Sequence, residues 1–99
     1  GPAAGPDEAW WAPREALAGL APPAAVWRHG ALVVLYSPGD AVTLSPSPLA
    51  PPLEIELRRD EQAEALARVW VTPEGADAPT VRIAHGGKVL LDQRVVRGR

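Results

Sequence analysis

A chain of 99 residues is one domain's worth, large enough to bury a modest core without staples. It holds no cysteine, which excludes disulfides and thiolate metal sites, and its net charge of −2 gives no general attraction to nucleic acid or to an anionic membrane surface. The longest apolar run, residues 31–36, falls far short of the ~20 residues of a spanning helix, so no direct membrane insertion is expected.

Asn, Phe and Met are absent, and nine of the ten basic residues are Arg. With so much Ala, Pro and Gly, this points to a GC-rich coding bias and a bacterial source. The opening Gly1-Pro2 resembles the remnant left by a tag-removing protease, and the expectation is a piece of a larger extracytoplasmic protein, periplasmic or extracellular. Residues 1–12 read as a flexible leading segment, small and Pro-containing, with Trp10 and Trp11 as anchors. A single folded domain is expected over 13–99.

Residues 13–20 predict one short N-terminal helix. Pro13 suits the first turn, helix formers follow, and Pro22-Pro23 stop it. Two turns do not persist alone in water, so Leu17 and Leu20 must dock on something, together with one of the tryptophans. Val26-Trp27 and residues 31–36 then flank Arg28-His29-Gly30, read as a three-residue turn between two strands. Residues 31–36 are apolar on both faces, as in a central strand covered on two sides, by a second sheet and by the helix. Residues 37–40 make a turn, because Pro38 presets one φ and Gly39 accepts a positive one.

A short strand is expected over 41–44. Residues 45–52 carry four prolines and form a surface crossing. Leu53, Ile55 and Leu57 alternate with Glu54 and Glu56 in a half-buried strand. Residues 60–64 read as one helical turn or a wide loop. The next strand, 65–71, is read with Ala67, Val69 and Val71 inward and Arg68 and Trp70 outward, and 72–79 is a loop.

The final stretch, 80–96, is a β-hairpin around Gly86-Gly87. A plain two-residue turn would set Val81 against Asp92 and bring a carboxylate onto the apolar face. A three-residue loop, 85–87, instead places Val81, Ile83, Val89, Leu91 and Val95 on one face and Arg82, Lys88, Asp92 and Arg94 on the other, leaving Leu90 on the polar side. A one-residue slip would turn every side chain over, so the pattern favours the second register, with Gly87 left-handed. About seven short strands with turn signals every eight to twelve residues predict a mainly β fold, an antiparallel β-sandwich. The architecture resembles immunoglobulin-like and fibronectin-type modules. The paired cysteines of true immunoglobulin domains are missing, and no family-specific signature is present.

The search for chemistry is largely negative. Gly86-Gly87-Lys88 lacks the Gly and Ser/Thr that a phosphate loop needs at positions 82 and 89. His29 and His85, with Asp40 or Asp92, have no metal-ligand spacing. Ser37, Ser45 and Ser47 lie in proline-rich turns with no nucleophile elbow. Glu54 and Glu56 share a strand face, which suits a solvated surface better than acid–base work. No enzyme, cofactor or metal is therefore expected. The candidate binding residues are Trp70 with Arg68, and the pair Trp10 and Trp11, since tryptophan and arginine concentrate at binding hot spots. The leading expectation is a non-catalytic interaction module that binds a protein partner through a sheet face or edge, or self-associates through its C-terminal edge strand. The alternative is a carbohydrate-binding module whose tryptophans stack on sugar rings.

Overall fold

The computed structural model describes residues 20–28, 30–48, 51–59, 62–71 and 78–97. Seven antiparallel strands occupy them: β1 (Ala24–Arg28), β2 (Ala31–Tyr36), β3 (Ala41–Ser45), β4 (Leu53–Arg59), β5 (Gln62–Val71), β6 (Thr80–His85) and β7 (Lys88–Arg94). They form two sheets, one ordered β1-β2-β5-β4 and the other β3-β6-β7. No helix lies among the described residues. The leading segment 1–12 with Trp10 and Trp11 and the loop over 72–77 fall outside them, as does the helix expected over 13–20 except for Leu20, which is not helical.

Strand β2 organises both sheets. All six of its side chains are buried. Because successive strand residues face opposite ways, they divide between two apolar clusters. Leu32, Val34 and Tyr36 join Ala25 and Trp70 of their own sheet with Leu44, Val81 and Ile83 of the other, which makes this the core between the sheets. Ala31, Val33 and Leu35 belong with Val69 to a second cluster on the far side of the four-stranded sheet. The two-sided burial expected of residues 31–36 is therefore present.

Register corrects several expectations. Arg28 faces Ala31, so only residues 29–30 separate β1 from β2, one fewer than the expected three-residue turn. Gly30 supplies the positive φ that the tight reversal needs. Arg59 faces Gln62 and residues 62–64 belong to β5, which begins earlier than the helical turn or wide loop expected over 60–64 allowed, with a bulge beside Leu57.

In the closing hairpin, His85 faces Lys88 across a two-residue Gly86-Gly87 turn with φ of 56° and 84°. Two successive positive φ values are the signature of the turn whose twist matches that of paired strands. The extra residue sits further along. Ala84 faces Val89 while Ile83 faces Leu91, so Leu90 is a bulge in β7. Below the bulge Arg82 faces Asp92 and Val81 faces Gln93, and the carboxylate stays off the apolar face. Val81, Ile83 and Val95 are buried and Leu91 is partly buried against the core. Val89, expected with them, lies between turn and bulge and is 47% exposed.

Candidate functional site

In β5, Ala65, Ala67 and Val69 lie on the far side of the sheet, while Leu66, Arg68 and Trp70 point toward the space between the sheets. The pairing enforces this, since Trp70 faces Leu32 and Arg68 faces Val34, both inner-face residues. The outward orientation expected of Trp70 is thus corrected. Its ring fills the inter-sheet core and is 7% exposed, whereas Val71, expected inside, is 52% exposed. A strand in the middle of a sheet covered on both sides carries apolar residues at both parities, so alternation does not tell inside from outside.

Arg68 shares the inner face but ends near its border. Its strand partner on the other side is Glu54 of β4, the edge strand. Arg68 Nε donates to the Tyr36 hydroxyl at 3.0 Å, and its guanidinium carbon lies 4.9 Å from the Tyr36 ring centroid. Glu54 Oε2 is 3.7 Å from Nε, a longer ion pair. The Arg68 side chain keeps 29% of its surface, so the group is held but reachable. Next along the border, Arg58 donates to Glu56 Oε1 from Nη2 at 2.7 Å and from Nε at 2.8 Å, with both side chains about half exposed. Tyr36, Arg68, Glu54, Glu56 and Arg58 together form a border of alternating charge around one aromatic ring. Such an arrangement presents directional donors and acceptors with little net field, which suits a polar protein surface better than a phosphate backbone.

Tyr36 was not among the residues singled out in the sequence. A signal existed: it closes an apolar strand and shares its parity with Leu32 and Val34, so antiparallel pairing brings it to the face of Arg68 and Leu66.

The remaining tryptophan within the described residues has other work. Trp27 Nε1 donates to the Val95 carbonyl at 3.0 Å, and the Arg97 guanidinium lies 4.9 Å from the ring centroid. The indole thus ties β1 to the chain beyond β7, where Val95 N–H also donates to the Pro79 carbonyl at 2.8 Å.

At the turn end, His85 Nδ1 lies 2.8 Å from Asp40 Oδ1. A carboxylate only accepts, so the contact places the imidazole proton on Nδ1. The second Asp40 oxygen accepts from Ser37 N–H at 3.1 Å, and Asp40 N–H donates to the Ser37 carbonyl at 3.0 Å. This carboxylate staples the β2–β3 turn to the tip of the β6–β7 hairpin. Its partners are two protein donors; among the described residues no group of three or more His, Asp or Glu side chains could hold a metal ion. His29 lies outside those residues. No helix among them is long and apolar enough to cross a membrane.

Comparison of the chain with known protein families, with curated proteins and with solved structures yields no match in any of the three.

Proposed function

We propose that the chain is a non-catalytic interaction module, a β-sandwich of immunoglobulin-like type, that binds a protein partner through the Tyr36–Arg68–Glu54 border of its four-stranded sheet. Support for the fold type comes from strand order: four strands as first, second, fifth and fourth, against third, sixth and seventh, is the arrangement of constant-type immunoglobulin domains. Support for the surface comes from one observation, an arginine fixed by a tyrosine hydroxyl and ring yet still open to solvent. Arginine is among the side chains that most often carry binding energy, and the buried Tyr36 holds the guanidinium in place, which lowers the entropy lost on docking. The GC-rich coding bias of its composition supports a bacterial source.

The test is to isolate the partner on the immobilised chain, purify it, and titrate it calorimetrically. Arg68→Ala is expected to weaken binding about tenfold, or about 1.4 kcal/mol. Unchanged affinity in a folded variant would remove this border as the binding surface. Titration with polysaccharides under tryptophan fluorescence checks the carbohydrate-binding alternative, which rests on Trp10 and Trp11, because Trp70 is buried and one face of Trp27 carries Arg97.

A further inference from the structure

We infer that the free edge of β3 takes up an extended segment of the partner as a fourth strand of the smaller sheet, with a basic side chain of that segment on Glu54. The inference deepens the border reading above and rests on it. Its ground is a mismatch in width. The inner residues of β1, β2 and β5, among them Trp27, Leu32 and Trp70, pack in the core between the sheets. On β4 the same rows continue with Glu54 beside Arg68 and Glu56 beside Leu66, and these carboxylates keep 65% and 51% of their side-chain surface. The three-stranded sheet therefore stops short of β4. Trp27 of β1 bonds to Val95 just beyond β7, so β7 stands over β1, and the strand order leaves β3 beside the uncovered β4. Strands lie about 4.8 Å apart and stacked sheets about 10 Å apart, so the shelf above β4 has the width of one added strand.

The backbone along this edge has free groups to offer. The two-residue Gly86-Gly87 turn makes His85 and Lys88 a hydrogen-bonded pair, and in an antiparallel ladder such residues alternate. Along β6, Ala84, Arg82 and Thr80 therefore turn their amides to Ala41, Thr43 and Ser45. Val42 and Leu44 are left pointing N–H and C=O away from β6. The Leu44 carbonyl there accepts from Ser47 Oγ at 3.4 Å, while the other three groups have no partner among the described residues. The remaining edges carry devices that discourage pairing. β1 is tied to the chain beyond β7, β4 follows Pro51-Pro52 and bears Glu54, Glu56 and Arg58, and β7 has its bulge. β3 reads Ala-Val-Thr-Leu-Ser, without charge, proline or bulge, and keeps one register with β6 throughout. A regular edge of this kind is what strand addition uses.

Charge and shape select the occupant. Glu56 is engaged by Arg58, and Arg68 by the Tyr36 hydroxyl, which leaves Glu54 with one long contact of 3.7 Å. The tight β2–β3 turn sets Val42 near the level of Tyr36, and Leu44 one row further, near Val34 and Arg68. An incoming residue opposite Leu44 thus points at Glu54, where Lys or Arg fits. The one opposite Val42 meets Leu66 and is apolar. Those opposite Ala41, Thr43 and Ser45, all exposed, face solvent. A second copy does not fit, because two β3 edges paired antiparallel would drive each β4 into the other's β5. The occupant is a proline-free extended segment with a basic and an apolar residue two places apart.

Nuclear magnetic resonance on the full chain tests this, with the blocked peptide acetyl-Thr-Lys-Thr-Val-Thr-amide as probe. Before any peptide is added, the Val42 and Leu44 amides are expected to exchange with solvent about tenfold faster than that of Thr43. Equal protection would show the edge already taken and overturn the proposal. Peptide at millimolar concentration should then give saturating shifts at Val42, Leu44 and Glu54. Replacing its lysine by glutamate should weaken binding about tenfold, and Glu54→Lys in the chain should restore it. No shifts, shifts centred on β7, or equal affinity for both peptides would sink the idea. The partner isolated on the immobilised chain separates the two readings. If it shifts Arg68 and Glu54 while Val42 and Leu44 go on exchanging, strand addition alone is wrong. Unchanged partner affinity in Arg68→Ala removes the border reading, and the assignment of Glu54 with it.

Discussion

Trp70 and Arg68 stand two residues apart on the same face of β5, yet the first is sealed in the core and the second is in reach of solvent. Their difference is one of position within the sheet. Trp70 lies in a row with Leu32 and Trp27, and its ring belongs to the cluster that both sheets share. Arg68 lies in a row that runs out to Glu54 on the edge strand, and a long side chain there can keep its aliphatic stem inside and its charge at the border. The pair teaches that strand parity alone does not sort core from border: both side chains point between the sheets, and the long charged one carries its head out to solvent where the apolar ring stays in.

The sharpest way to break this comparison is Trp70→Ala, expected to cost about 3–5 kcal/mol of stability by emptying the core, read from urea unfolding. A loss under 1 kcal/mol would show that the ring is not packed between the sheets. Gly87→Ala comes next, at about 1–2 kcal/mol: the added Cβ meets open space, so the cost is that of the left-handed backbone alone. Thermal melts beside the parent chain measure it. Trp27→Phe keeps most of the ring and removes the N–H that reaches Val95, for about 1 kcal/mol; hydrogen exchange at Val95 should quicken with it. Arg68→Ala is expected to cost less than about 1 kcal/mol in stability, its effect appearing in partner affinity instead. Smallest is Arg82→Ala. Its pair with Asp92 is exposed, so a change of about 0–0.5 kcal/mol is expected, vanishing in high salt.

Much of the fold was legible as period-two burial. Seven strands, the two-sided β2 and the buried set Val81, Ile83 and Val95 follow from alternation and turn chemistry alone. Two things did not. The register of the last hairpin needed to know where its extra residue lies, and the sequence permits it either in the turn or at Leu90; the left-handed glycine pair closes the turn in two residues and forces the bulge outward. The site was half legible. Arg68 could be picked out as a polar residue in an apolar strand, but its partner Tyr36, 32 positions earlier, is brought beside it only by the β2–β5 pairing.

Leu90 has a consequence for the open edge of its sheet. As the outermost strand of its sheet, β7 offers unpaired amides to any passing chain, and a straight ribbon there would invite stacking into fibrils. The kink breaks the even spacing of those amides and so denies an incoming strand a continuous template. Deleting this single leucine preserves every described cross-strand partner while straightening the ribbon, and the shortened protein should seed aggregates, visible by thioflavin fluorescence, under conditions where the parent stays dispersed.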